Sequence, residues 1–410
     1  MTNILILGDS YVSKIFIPAN SQLFYIGRKR EWHSLEIVEY IIDFPIIFDV
    51  EEYDKKYNEI IFLCNSIEGK YGKIDFIIGN SEHTLTLASK LRQQLKVLGR
   101  TLDEIIPFRN KSIMRDRINS AGILGQVEYY SPLLSNNTLN IDSGNSYPLV
   151  VKPCSQAGSR FVSFVNNKNE LLMATNDLVN HQINYIIEKK IDGEIIHIDG
   201  VYRNGELKFI CANKYIYDCI SWINKNTPMS SIQITGKKIE YDIVNFTNKV
   251  LKSIGTKDVV FHLEAFIQSS GDIQLLEIAA RPGGAAITPA IKEFYGIDLQ
   301  EESLKIDLNI ETTINSSGYL SCDRSYIDTF SWIVFPIKEK RKIMIEEIIG
   351  LANLPKSVKW SLVVKTGDVY NDMFWEDQAL AKFVLLGSHD NLLHDMSHLE
   401  QYIDVKFKVI

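Results

Sequence analysis

A chain of 410 residues with 45% hydrophobic and 23% charged positions can bury more than one core, so two or three compact units are expected. The net charge of -7 is spread along the sequence with no basic stripe interleaved with aromatics, which argues against nucleic acid as a partner. The five cysteines are scattered without metal-ligand spacing, no run approaches membrane-spanning length, and "MTNILILGDS" lacks a basic segment ahead of a cleavable apolar core, so free thiols, a cytoplasmic setting and no membrane partner are expected.

The N-terminal stretch alternates strand and helix patterns. "NILILG" reads as a buried strand ending at glycine, "EIIFLCN" and "DFIIGN" as further strands, and "EHTLTLASKLRQQLKVLG" as a helix with Leu85, Ala88, Leu91, Leu95 and Leu98 on one face and Gly99 at its C-terminal cap. The turn after the first strand lacks G-x-G-x-x-G, which favours an open α/β sheet that merely packs over a dinucleotide site. A boundary near Pro107 precedes "RNKSIMRDRINSAGIL", a short helix with Asn110 as its cap and Ile113, Met114, Arg117 and Ile118 on one side. After the polar loop "SNNTLNIDSGNS", the strand in "YPLVVKPCSQAGSRFVSFV" ends on a lysine and enters a Ser/Gly loop. Lys152 can place a cation there and the backbone of Ser155, Gly158 and Ser159 can wrap phosphate oxygens; the other reading is a glycine-containing hairpin turn. No G-K-[ST] opens a helix, so this is not a Walker loop.

"YIIEKKIDGEIIHIDGVYRNGELKFICANKY" combines a strand, a linker at Gly193 and a hairpin about Asn204 and Gly205. Alternation sets Ile196, Ile198, Tyr202, Leu207, Phe209 and Cys211 on one face and Ile195, His197, Asp199, Lys208, Ile210 and Lys214 on the other. Lys214 then either faces a site or is a solvated strand-end lysine. Finally "VVFHLEAFIQ" and "QLLEIAARPGG" flank "SSGD", a tight-turn signal, and make a second hairpin. Centring its turn between Ser270 and Gly271 sets Glu264 opposite Glu277 and His262 opposite Ala279. Like charges across a ladder that also carries Leu263, Ala265, Leu276 and Ile278 call for a partner. A solvated pair is one reading; the other is a divalent cation, and oxygen-only ligands beside a Gly-rich turn suit Mg²⁺ bridging phosphates better than Zn²⁺.

Taken in order, "NKSIMRDRINSAGI", "PLVVKPCSQAGSRFV", "IIEKKIDGE" with "IDGVYRNGEL", and "FHLEAFIQSSGDIQLLEIAARPGG" resemble the ATP-grasp superfamily in its carboxylate-amine ligase branch, with its L-amino-acid-ligase-like and biotin-carboxylase-like members, over roughly residues 75–298. The resemblance implies an α/β and α+β chain with the ATP-grasp fold. A Rossmann-like preATP-grasp domain would occupy residues 1–106 and a two-subdomain ATP-binding core 107–320, divided at about 185/186. A β-rich C-terminal module would follow at 321–410, where "SWIVFPI", "VKWSLVVKTGDVY" and "AKFVLLG" read as strands and "SHLEQYI" as a helix. It further implies that Lys111 and Lys152 reach ATP phosphates and that the loop from Ser155 to Arg160, with Gly158 and Ser159, closes over the γ-phosphate. Glu188, Lys189, Lys190 and Ile191 would read adenine through backbone groups, and Glu194 would bind ribose. Glu264 and Glu277 would hold Mg²⁺, with Mn²⁺ as a substitute. Arg281 would hold the transferred phosphate with Lys214 adding positive charge, and Gly283 and Gly284 would approach the acyl substrate. Trp222, in the variable wall "YDCISWINKNTPMSSIQI", is a pocket floor or a core residue.

Many members of that family carry asparagine two residues after the second glutamate, where this chain has Ala279. His262, across from it, either contacts substrate or a metal-bound water, or is a packed, hydrogen-bonded histidine. The implied activity is ATP-dependent joining of an amino-acid carboxylate to an amine through an acyl phosphate, releasing ADP and phosphate. Two alternatives are transfer of the amino acid to an acyl-carrier-protein thiol, and a nucleotide-binding protein that has lost catalysis. The implied partners are a small carboxylate and an amine acceptor, with a homodimer through the N-terminal unit.

Overall fold

The computed structural model describes residues 1–27, 35, 37–42, 50–122, 127–141, 147–156, 158–217, 222, 227–314, 329–337, 339, 341–370 and 379–410. Strands β1 (Thr2–Leu7), β2 (Ser21–Gly27), β3 (Ile37–Ile42) and β4 (Phe76–Ile78) form a parallel sheet in the order β3-β2-β1-β4. Ile4, Leu5, Ile6 and Leu7 are all buried, the continuous apolar run of a strand covered on both faces. One face packs on helices α1 (Val50–Tyr71) and α2 (Leu85–Leu95); Leu304 and Leu308, from far along the chain, pack on the other.

Two local expectations fail here. "EIIFLCN" lies inside α1, where Ile60, Cys64 and Ile67 are buried at helical spacing; a short apolar run does not by itself distinguish strand from helix. Helix α2 ends at Leu95, with Lys96 left-handed at φ 54, so the cap comes before Gly99 and Leu98 is exposed. Gly99 has φ 138, and a Cβ on it would stand 2.8 Å from the Arg92 side chain, so the glycine serves the close approach of that arginine.

Helix α3 (Leu102–Arg109) opens with a capping box in which Glu104 accepts the Thr101 amide at 2.9 Å, and α4 (Lys111–Ser120) is capped by Asn110, which accepts from the amides of Ser112 and Ile113. Pro107 lies inside α3 rather than in a linker. Its missing N–H would orphan the Asp103 carbonyl, and Arg117 Nη2 of α4 donates to that oxygen at 3.1 Å, which ties the two helices together.

Strands β5 (Tyr129–Tyr130), β6 (Leu149–Pro153), β7 (Ser163–Val165) and β8 (Tyr185–Lys189) form a small antiparallel sheet in the order β5-β8-β6-β7, with α5 (Lys168–Asn180) packed on it. The chain then enters β9 (Glu194–Arg203) and β10 (Glu206–Tyr217), joined through Asn204 and Gly205 at φ 54 and 76, as a two-residue hairpin turn of this hand requires. There follow β11 (Met229–Gln233), α6 (Lys237–Ile254), β12 (Val259–Ile267), β13 (Ile273–Ala279), α7 (Ile287–Tyr295), α8 (Leu299–Asp307) and β14 (Thr329–Phe335). The last part of the chain holds β15 (Ile343–Ile349), β16 (Val358–Val363), β17 (Val369–Tyr370), β18 (Ala381–Gly387), α9 (His389–Tyr402) and β19 (Asp404–Val409).

The principal sheet has eight strands in the order β13-β12-β9-β10-β11-β14-β18-β16, so the C-terminal strands β14, β18 and β16 extend the central sheet, while β17-β15-β19 form a sheet of their own. One face, with Ile196, Ile198, Phe261 and Leu263, packs on Ile243, Phe246, Val250 and Leu251 of α6; the other, with Val201, Phe209, Trp332 and Val384, packs on Ala290 and Ile291 of α7. Parallel and antiparallel sheets with their helices thus coexist, as the α/β and α+β reading predicts. Among the described residues no helix is long and apolar enough to cross a membrane.

Candidate active site

A cavity of about 450 Å³ is lined by residues of the small sheet and of the β13 end of the large one. Val150, Phe164, Ile191 and Leu275 give it apolar walls; Lys111, Lys152, Glu264 and Glu277 bring charge to it. Gly158, Ser159 and Arg160 line it from the loop after β6, with Gly158 and Ser159 both left-handed at φ 67 and 54; Ala157 lies outside the described residues. Lys189, Lys190 and Ile191 line it where β8 leads toward β9, and Lys190 pairs with Asp192 at 2.5 Å.

Lys111 and Arg115 stand one turn apart on α4; Lys111 lines the cavity, and Arg115 bonds two residues that line it. Lys111 Nζ lies 3.0 Å from Glu277 Oε2 and donates to the Gln156 carbonyl at 2.9 Å. Arg115 donates from Nε to Glu188 Oε1 at 2.7 Å and from Nη2 to the Leu276 carbonyl at 2.6 Å. Lys152 Nζ lies 2.6 Å from Glu188 Oε2. Burial pushes the Glu188 carboxyl up, but Arg115 and Lys152 outweigh it and hold it at about 2. Lys152 is lowered by its own burial, with Glu188 opposing. Glu277 is likewise raised by burial and pulled to about 2 by Lys111 and Lys152. The Lys111 ammonium therefore sits against an ionised carboxylate of the acidic pair.

Glu264 lies directly opposite Glu277, and His262 opposite Ala279, but the route to that register differs from the count made on the sequence. The turn spans residues 268–272, with Ile267 paired to Ile273, which by itself would move the register off the pair. A β-bulge on β13 restores it: Glu264 pairs with Glu277 and Ala265 with Leu275, leaving Leu276 as the extra residue whose carbonyl accepts from Arg115.

Next to Glu264 on the same sheet face stand two residues that the sequence reading placed on a common face without giving them a role. His197 is opposite Glu264, and Asp199 opposite His262. Asp199 accepts from His197 Nδ1 at 2.6 Å and from His262 Nδ1 at 2.8 Å; His197 Nε2 bonds Ser231 Oγ at 2.8 Å. Glu264 Oε1 accepts from Tyr215 at 2.9 Å and lies 3.7 Å from His262 Nε2. Burial pushes the Asp199 carboxyl up, yet the two histidines hold it far below the usual carboxylate range. Burial lowers His262, but Asp199 and Glu264 prevail and push it up to about 10. His197, Asp199 and His262 offer ligand atoms within 4.8 Å of one another, a set that can hold a metal ion, although here they satisfy each other. Gly283 packs against them: a Cβ there would stand 2.6 Å from Asp199 Oδ1. Gly284 follows and accepts the Ile287 amide at the start of α7.

Other expected residues lie elsewhere. A bulge between Leu207 and Phe209 shifts the register of β9 and β10, putting Phe209 and Cys211 on the face of Val201 and Asp199 and pairing Lys214 with Ile196. The expectation that Lys214 shares a face with His197 and Asp199 is therefore corrected: it turns to the opposite face and forms an ion pair with Glu194. Neither Lys214 nor Glu194 lines the cavity, whereas Asp192, Gly193 and Ile195 do. Ser155 is outside the lining too; its carbonyl accepts from Arg109 Nη2 at 3.4 Å. Arg281 lies beyond the end of β13, held by Glu82 at 2.6 Å and by the Pro282 carbonyl at 2.8 Å. Trp222 is half-buried against the core that contains Trp332 and Tyr215, and residues 218–221 and 223–226 of its segment lie outside the described residues.

The sequence reading passed over Glu82, Arg109, Arg115 and Tyr215. Lys111 and Arg115 at helical spacing, and the H-I-D alternation of His197 and Asp199 in a buried strand, were readable signals. Nothing local marks Glu82, whose partners are far away in sequence.

An ATP-grasp domain matches residues 145–289 of the chain. The L-arginine-specific L-amino acid ligase of Bacillus subtilis is 26% identical over 295 residues, which are 67% of this chain and 68% of that protein. The alanine--anticapsin ligase of Bacillus subtilis (strain 168) is 23% identical over 281 residues, 62% of this chain, and the chain spans only 58% of its length. The crystal structure of the L-amino acid ligase from Bacillus licheniformis superposes with a TM-score of 0.71 over 100% of this chain and 99% of that one, at 15% identity, a likeness of fold. Residues 145–289, which hold the cavity's glycine-bearing loop, its hinge and its acidic pair, thus match an ATP-grasp domain.

Proposed function

We propose that the protein joins the carboxylate of an amino acid to an amine, using ATP and Mg²⁺ and releasing ADP and phosphate through an acyl phosphate. The observation that carries this reading is the Glu264 and Glu277 pair, directly opposed on adjacent strands and lining a cavity that Lys111 and Lys152 also line. Paired carboxylates offer the oxygen donors a hard cation takes, and the Lys111 ammonium already stands against one of them. The residues thus fit Mg²⁺, which Glu264 and Glu277 would hold. They also fit a nucleotide: apolar lining residues suit a base, and the lining cations suit phosphates.

In this reading a substrate carboxylate oxygen attacks the γ-phosphorus and ADP leaves; an amine nitrogen then attacks the acyl carbon, phosphate departs and the nitrogen loses a proton. Bound MgATP supplies the phosphoryl group. The chain's own residues position and neutralise. Lys152 stands between Glu188 and the cavity, Lys111 moves from Glu277 toward phosphate, and Arg281 meets the transferring group. The loop with Gly158 and Ser159 keeps water from the acyl phosphate. Buried, unbridged Cys64, Cys154 and Cys211 support a reducing, cytoplasmic setting.

The test is ADP release measured over amino acids offered singly and in pairs, with hydroxylamine added to trap the intermediate. The expected result is amino-acid-dependent ADP release and a hydroxamate of one amino acid. ADP release without hydroxamate for every amino acid that stimulates it would count against the acyl phosphate.

A further inference from the structure

We propose that Glu82, on the turn leading into α2, is a positioning residue for Arg281, so that the N-terminal unit completes the phosphate side of the site from outside the matched ATP-grasp segment. The inference rests on the reading that Arg281 meets the transferring phosphate. One Glu82 oxygen accepts from Arg281 Nε at 2.6 Å, and the other pairs with Arg109. Arg281 Nη1 is tied to the Pro282 carbonyl at 2.8 Å, which leaves Nη2 as the guanidinium nitrogen with no protein partner among the described residues.

Three physical consequences follow from one carboxylate between two guanidiniums. Arg281 is about a quarter exposed, and a long side chain there samples many rotamers unless it is tied; the two ties fix the plane of the fork. Glu82 lets two like charges approach without cancelling both, so the three groups keep a net charge of about +1, suited to an arriving anion. Arg109 also donates to the Ser155 carbonyl at 3.4 Å, so the same carboxylate links Arg281 to the root of the glycine-bearing loop. Glu82 is itself held in place, because the neighbouring turn is fixed by Ser81 and Thr84 and the Gly79 amide is bound by Asp307 at 2.9 Å.

The experiment is a calorimetric titration of the MgADP-loaded full chain with inorganic phosphate, for the wild type, Glu82→Gln, Glu82→Asp, Arg281→Ala and the Glu82→Gln/Arg281→Ala double variant, each checked for native unfolding temperature. MgADP affinity should be unchanged throughout. Phosphate affinity should fall about tenfold in Glu82→Gln, because the untied Arg281 no longer presents its fork and this outweighs the negative charge removed, and at least as far in Arg281→Ala. The double variant should be no weaker than Arg281→Ala alone, and Glu82→Asp should recover part of the loss. Wild-type phosphate affinity in Glu82→Gln, while Arg281→Ala has lost it, would overturn this inference and leave the proposed function standing; so would losses that multiply in the double variant. Wild-type phosphate affinity in Arg281→Ala would instead remove the phosphate role of Arg281, and this inference with it.

Discussion

Glu277 and Glu188 show how single carboxylates are set by the cations beside them. Replacing Glu277 by glutamine keeps its shape and removes the charge that would hold a metal. ADP release in Glu277→Gln is expected to fall roughly a hundredfold or more, the scale lost when a preorganised charge is removed from phosphoryl transfer. Its apo unfolding temperature should change little, since the variant loses the Lys111 ion pair but also the like charge of Glu264 across the ladder. Wild-type ADP release would contradict the metal role. Glu188 makes a prediction about pH. Its folded-state value of about 2 lies below its ordinary 4.5, so its contribution to stability is present above about 4.5 and is lost as pH falls through 2. The stability difference between wild type and Glu188→Gln, measured by urea unfolding, should be of order 3 kcal/mol near neutrality and shrink toward zero by about pH 2. A difference independent of pH would mean that the carboxylate's charge is not what Arg115 and Lys152 hold.

Helix α4 and the bulged strand β13 work as one unit. The Lys111 and Arg115 spacing puts two cations on one side of the helix, and the bulge presents the Leu276 carbonyl to the second of them. Arg115→Met should cost about 3–5 kcal/mol in unfolding free energy, because it leaves buried Glu188 with one cation instead of two. Nucleotide affinity should fall with it, since Glu188 and Leu276 both line the cavity. A loss under 1 kcal/mol would show that Lys152 alone satisfies Glu188. The helix, its Asn110 cap and the spacing of its cations are readable from the sequence. The bulge is not: the count from the turn reached the Glu264 and Glu277 pairing only because two departures cancelled, a turn centred elsewhere and one extra residue on β13.

Asp307, at the end of α8, joins the N-terminal sheet to the rest of the molecule. Its Oδ1 accepts from Arg92 Nη2 at 2.7 Å and Arg100 Nη2 at 3.0 Å, while Oδ2 accepts the Gly79 amide. Arg92 also donates to the Ile77 carbonyl at 2.6 Å, and Arg100 approaches the carbonyl of Ala280, the residue before Arg281. Asp307→Ala would leave two buried guanidiniums without their common anion, at about 3–5 kcal/mol. The expected readout is a lower urea midpoint, with amide-exchange protection lost first in β1 and β4. Uniform loss of protection across the N-terminal sheet and the eight-stranded sheet would show instead that the lock stabilises the whole chain as a single cooperative unit.

What the sequence by itself determined is what depends on neighbours along the chain. The buried run of β1, the Asn-Gly hairpin and the Asn110 cap follow from local periodicity and turn chemistry, while the ATP-grasp reading came from the resemblance of four segments taken in order. What only the tertiary structure decided is what depends on strand register and on pairs far apart in the chain. A bulge after Leu207 turned Lys214 away from the site, the strand partners of β9 joined His197, Asp199 and His262, and the packing of the N-terminal unit brought Glu82 to Arg281, 199 residues away. The reason is physical: a one-residue slip reverses every side chain of a strand, and an ion pair between distant residues leaves no local periodicity to read.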